Sequence, residues 1–264
     1  VNDPLHLIAA ALTAGAGVVF LWAACRQWIR LGRDSVATDG RWWWIAFALQ
    51  TAGLAVSLID DGHRAFAYGA LAGWSAVAAV MFAASFLSAP GRLLLALPLG
   101  AVVLMVAIAG VASVGAPPDE ETASWISRLH AFFMASHVAA LMAAGAAGGL
   151  YLLAVGRLKS GDPRATRLPS LPTLDRLVER GLVWGTALLT GGLATGGAAI
   201  RVSQNFQIMH PTALIGLAEM ILIVAVVSMH RANRLTRRAL AIAALACLSL
   251  AVIGTLSQVI AAHG

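Results

Sequence analysis

Residues 127–159 read SRLHAFFMASHVAALMAAGAAGGLYLLAVGRLK. No charged side chain interrupts the run between Arg128 and Arg157. A helix needs about 20 apolar residues to cross ~30 Å of hydrocarbon, and this run is long enough. Its Ala and Gly clusters suit close helix–helix approach in lipid. Yet it holds two histidines, His130 and His137, and an imidazole within a membrane helix needs a physical reason.

The whole chain has the same character. It has 264 residues, 59% of them hydrophobic and only 11% charged, with a mean hydropathy of +0.82. Soluble domains carry about 25% charge, so the composition points to an all-α, polytopic membrane bundle forming one transmembrane domain over residues 1–264. Apolar runs recur about eight times, near 5–28, 42–59, 67–87, 93–115, 126–156, 179–200, 212–230 and 239–261. The first run lacks a basic leader and reads as a retained helix. The connection over about 157–178 reads as an interfacial segment in which Thr173 and Asp175 start a short amphipathic turn.

Charge writes the topology. The net charge of +6 is spread over alternate loops rather than gathered in one patch, which argues against nucleic acid. Arg26, Arg30, Arg33 and Arg41 flank the first loop, and Arg92 marks the third. Arg157, Lys159, Arg164, Arg167, Arg176 and Arg180 crowd the fifth, and Arg231, Arg234, Arg237 and Arg238 fill the seventh. The even loops hold only Arg64, Arg128 and Arg201 beside five acids, Asp60, Asp61, Asp119, Glu120 and Glu121. Basic loops stay in the cytoplasm, so both termini are expected on the outer, periplasmic side of a bacterial inner membrane.

The same topology sorts the polar residues. His6, His63, His130, His210 and His263 fall at or near outer helix ends, and His230 at an inner one. His137 lies about two turns into the fifth span, about 10 Å along the axis from His130, too far for one metal face. Gln50 and Glu219 lie at hydrocarbon depth, and a carboxylate there is a functional candidate. Glu219 and His230 are about three turns apart and share a helix face. Cys25 and Cys247 form no C-x-x-C and read as small hydrophobes. No nucleophile–base motif or phosphate loop occurs, which points away from a stand-alone enzyme.

The segment LPSLPTLDRLVERGLVWGTALLTGGLATG, residues 168–196, resembles the hallmark stretch of the cytochrome c assembly protein family. That family takes in the CcsA, HemX and YpjD-like haem-handling membrane proteins. FALQTAGLAVSLIDDGHRAFAY, residues 47–68, is similar to the family's early transmembrane stretch. The resemblance runs in order over nearly the whole chain. It implies one haem b near the outer face with His130 and His263 as axial ligands to the iron. It implies an inner site at His230 and the position of Gln50, with a second haem. His210, His63 and His137 would be second-shell partners or alternative ligands. It further implies partners among membrane or periplasmic redox and cytochrome c biogenesis proteins, and a role in haem handling or electron transfer.

The chain also departs from the family. Gln50 stands where the family has histidine, and an amide does not replace imidazole as a strong iron ligand. The tryptophan-rich signature tied to apocytochrome attachment is absent, and AIRVSQNFQIMHPTAL, residues 199–214, stands in its place. Trp22, Trp28, Trp42, Trp43 and Trp44 cluster instead at the inner side and read as an interfacial belt. These departures suit an alternative, a membrane anchor or assembly subunit of a larger redox complex that kept the fold and lost haem ligation. A proton path through Glu219 and His230 is a third reading, although no discontinuous helix or inverted repeat accompanies it.

Overall fold

A computed structural model of the chain describes residues 4–30, 41–59, 125–162, 168–202 and 211–261, with single positions between 67 and 103. The described residues are helical, with no strand among them. Six long helices are α1 (Pro4–Arg30), α2 (Arg41–Ile59), α3 (Trp125–Lys159), α4 (Leu171–Val202), α5 (Pro211–Arg231) and α6 (Arg237–Ala261). The expected spans at 67–87 and 93–115 lie largely outside the described residues.

Among the described residues, four stretches are long and apolar enough to cross a membrane: Pro4–Arg26, Arg41–Ile59, Leu129–Lys159 and Leu214–Arg231. Their apolar residues are not all spent on a core. Only 22% of the apolar window of α5 is buried within the protein, and Leu214, Leu217, Ile221 and Val224 face outward. Apolar surface on that scale needs an apolar surrounding.

The chain divides into two compact units, Val1–Ala135 and Ser136–Gly264. In the first, α1 and α2 pack antiparallel. Gly53 makes this possible, because a Cβ there would sit 2.7 Å from Thr13 Oγ1 and 3.2 Å from the Ala9 carbonyl oxygen. Further along the pair, Phe20 meets Trp43 edge-on with centroids 6.0 Å apart. Trp22 meets Trp42 at 4.4 Å, and the Arg26 guanidinium lies 5.0 Å over the Trp22 ring. Trp74 stacks on Phe47 and donates its indole N–H to Thr51 Oγ1 at 2.9 Å.

In the second unit α3, α4, α5 and α6 form an up-and-down bundle. Small residues set its close contacts, as expected where packing rather than hydrophobicity joins helices. A Cβ on Gly148 of α3 would lie 2.8 Å from the Ala241 carbonyl oxygen of α6. One on Gly181 of α4 would lie 2.8 Å from Ala144 Cβ of α3. At the α4–α5 contact, Gly216 sits against Leu193, and Thr190 donates to Met220 Sδ at 3.7 Å.

Local chemistry fixes where these helices stop and start. After α3, Gly161 takes φ +68° and the Asp162 N–H reaches back to the Arg157 carbonyl at 3.0 Å, a left-handed C-terminal cap. Asn233 does the same after α5 with φ 54°, its neighbour Arg234 donating to the Met229 carbonyl at 2.9 Å. Thr236 Oγ1 caps α6 by accepting the Ala239 N–H at 3.2 Å.

The connection between α3 and α4 is shorter than expected. Residues 157–159 continue α3, and α4 already begins at Leu171. Proline in a first helical turn has no intrahelical N–H to lose, so Pro172 does not end the helix. The Ser170 carbonyl accepts from both Thr173 and Leu174. Leu174, Val178 and Leu182 then bury one continuous stripe, so Thr173 and Asp175 belong to the start of α4 itself rather than to a separate turn.

Candidate functional site: a buried histidine–glutamate pair

The second unit gathers one polar cluster into its interior. His137 enters from α3 and is 1% exposed; Glu219 enters from α5 and is 4% exposed. His137 Nδ1 lies 2.8 Å from the carbonyl oxygen of Gly185 on α4. A carbonyl only accepts, so Nδ1 carries the hydrogen and donates. The other ring nitrogen, Nε2, lies 3.3 Å from Glu219 Oε1, within ion-pair range but outside hydrogen-bond geometry. Neither Nε2 nor Oε1 has a hydrogen-bond partner among the described residues.

The local sequence explains this meeting. His137 is in register with Leu141 and Ala144, which bury the same face of α3. Gly185 lets α4 approach: a Cβ there would be 3.1 Å from Leu141 Cδ2 and 3.6 Å from His137 Nδ1. Glu219 shares its face of α5 with Ile223 and Val226, both buried. Cys247 of α6, fully buried, lies within electrostatic reach of Glu219.

The sequence-derived site residues scatter differently from expectation. Glu219 meets His137, not His230. His230 is half-buried eleven residues along α5, about 16 Å along the axis, and its buried Nδ1 has no hydrogen-bond partner among the described residues. Glu219 and His230 do lie on one helix, but that face is not where the carboxylate finds its contact. His130 is half-buried near the start of α3, the second residue of the stretch Leu129–Lys159. Gln50 is 3% exposed on α2, its Oε1 also without a hydrogen-bond partner among the described residues. His63, His210 and His263 lie outside the described residues. Gly185 went unnoticed in the sequence because its contribution is a backbone carbonyl, which no side-chain pattern encodes.

Charged groups at the opposite end of this unit pair near the surface. Arg231 Nε donates to Glu179 Oε1 at 3.0 Å, Arg237 lies 3.4 Å from Asp175, and Arg157 lies 3.8 Å from Asp162. The end of α5 and the start of α6 are thereby tied to the start of α4, and the basic fifth and seventh connections share one end of the bundle.

No group of three or more His, Cys, Asp or Glu side chains suited to a metal ion occurs among the described residues. A haem needs only one or two axial imidazoles, and His130 meets that requirement by residue type and place. At the inner position only His230 is an imidazole, so Gln50 and His230 do not make a bis-histidine site. Comparison with protein-family models, curated proteins and solved structures returns no match. The fold and site therefore define a class, an all-helical chain with helices able to cross a membrane and an ionisable pair inside one bundle.

Proposed function

We propose that this chain is an integral membrane protein that binds haem b near the outer membrane face through His130, and that it carries haem or relays electrons in cytochrome c biogenesis. The observation that carries this reading is the place of His130. It is half-buried at the start of the stretch Leu129–Lys159, which is long and apolar enough to cross a membrane. An imidazole at such a boundary is positioned to serve as an axial ligand while its helix excludes water. The family resemblance supports His263 as the second ligand, the recurring apolar runs support about eight spans, and the alternating basic loops support both termini outward in a bacterial inner membrane. Its partners are then the lipid bilayer and other membrane or periplasmic redox proteins. Bound there, haem b supplies one-electron chemistry at iron; His130 holds it, and nearby polar groups tune it.

The test is haem content per purified chain, measured by pyridine extraction of wild type and H130A. Wild type carries about one haem per chain and H130A loses most of it, since loss of a ligand costs at least the 10–100-fold in affinity typical of outer-shell changes. Equal haem content in the two proteins overturns the assignment.

One observation favours a second reading, a membrane anchor or assembly subunit without haem. Gln50 stands where the family resemblance puts the inner ligand, and its buried amide oxygen has no hydrogen-bond partner among the described residues. Co-purification with partner subunits, unaffected by H130A, supports that reading.

A further inference from the structure

Where α4 begins and α5 stops, the second unit holds more cations than its acids match. Among the described residues the acids at this end are Asp162, Asp175 and Glu179, and each already faces an arginine. Arg180 is exposed and makes no hydrogen bond or ion pair among the described residues. Arg176, about one turn earlier, is exposed too. It spends its Nε on the Pro172 carbonyl at 3.2 Å. Arg231 spends its Nε on Glu179 at 3.0 Å, and its side chain is 63% exposed. A guanidinium has further N–H donors beyond Nε, so both arginines are held at the stem with their outer N–H groups open.

These three arginines lie beside one seam. Glu179 touches Arg231, Thr190 touches Met220, and Leu193 touches Gly216, which marks the face of α4 that meets α5. At ~100° per residue, Arg176 and Arg180 sit roughly 60° and 100° around α4 from Glu179, on one side of that face. Asp175, which faces Arg237 of α6, sits about 40° the other way. The arginines therefore flank α5 on its side away from α6. Along the same stripe of α4 the surface turns apolar, with Trp184 at 65% exposure. On α5, Ile221 and Val224 also face outward. Arg231 is the last residue of Leu214–Arg231, a stretch able to cross a membrane.

We propose that the outer edge of the α4–α5 seam binds one anionic phospholipid, its phosphate held by Arg176, Arg180 and Arg231 and its acyl chain lying along Trp184, Val224 and Ile221. Charge and level both fit. Three cations face one carboxylate that is already paired, and the guanidinium fork matches a phosphate. Arg180 and Trp184 are on the order of 6 Å apart along the axis. That spacing sets the indole at the boundary between headgroups and hydrocarbon, where tryptophan gathers. Basic side chains at a membrane surface attract anionic lipid. A soluble anion would use the cations and leave the apolar stripe without a role. A second copy would bring the same excess of positive charge. The site needs no haem, so it stands or fails separately from the proposed function.

The test is quenching of tryptophan fluorescence in the purified full chain by lipids brominated in their acyl chains, in nonionic micelles. Phosphatidylglycerol is compared with zwitterionic phosphatidylcholine. Wild type should show a saturable component at about tenfold lower mole fraction of phosphatidylglycerol. R176Q/R180Q should lose that preference, and R180Q alone should narrow it about fivefold. K159Q/R238Q removes as much charge from α3 and α6 and should keep the preference. W184F should lose the saturable component, and inorganic phosphate should not displace the lipid. R180Q removes no described contact, so it decides the matter if the double variant does not fold. Equal quenching of wild type by the two lipids overturns the proposal. So does an equal loss in K159Q/R238Q, which would report a diffuse field, or a saturable component that survives W184F. Displacement by inorganic phosphate would also overturn it, in favour of a free anion.

Discussion

His137 on α3 and Gly185 on α4 are joined by an N–H···O=C bond of 2.8 Å, although 48 residues separate them in the chain. The bond turns the second ring nitrogen toward Glu219. Removing the imidazole therefore does more than delete one contact, because it strands a buried carboxyl group. H137A is expected to destabilise the protein by about 3–5 kcal/mol, the cost of breaking a buried pair from one side. H137L/E219L, which removes both polar groups, should lose less than H137A. Denaturant-induced unfolding in mixed micelles measures both, and a double variant worse than the single one contradicts the pairing.

Adjacent glycines on α3 should respond with opposite signs. A Cβ at Gly148 would lie 2.8 Å from the Ala241 carbonyl oxygen, whereas one at Gly149 meets nothing within 4 Å. G148A forces α3 and α6 apart and should cost about 1–3 kcal/mol. G149A only restricts the backbone and should be neutral or stabilising by about 0.5–1 kcal/mol. Thermal midpoints of the two variants, measured side by side, check the α3–α6 contact.

Much of the helical layout was legible because apolar run length is a direct consequence of membrane thickness. The runs at 42–59 and 212–230 fall within a residue of α2 and α5. The start of α4 was not legible, because Pro172 and nearby charges hid a helical stripe that shows only through the burial of Leu174 and Val178. The partner of Glu219 was also hidden. Helix-face arithmetic finds neighbours on one helix, and so it paired Glu219 with His230. The actual neighbour comes from α3 and is aimed by a carbonyl on α4, which only three-dimensional packing reveals.

At the charged end of the second unit, capping should outweigh ion pairing. Arg231 and Glu179 are 3.0 Å apart, but their side chains are 63% and 30% exposed. Solvent screening limits such a pair to less than ~1 kcal/mol, so R231Q should barely shift unfolding, and less still at high salt. Thr236 accepts the Ala239 N–H, and T236A removes an N-cap costing about 0.5–2 kcal/mol. A larger loss in R231Q than in T236A reverses this ranking.

Orientation has its own check. Single cysteines placed at Ala232 and Glu120, in a C25S background, are expected to label from opposite sides of the membrane with an impermeant maleimide. Glu120 reacts in intact spheroplasts, and Ala232 only after permeabilisation. Labelling of both from the same side contradicts the charge-derived topology.

The most direct measurement of the central claim is the optical spectrum of the purified full chain, first oxidised and then reduced with dithionite. A Soret band that sharpens and shifts on reduction, present in wild type and lost in H130A, is the predicted result. A colourless wild-type protein that gains no such band when supplied with haem would contradict the account.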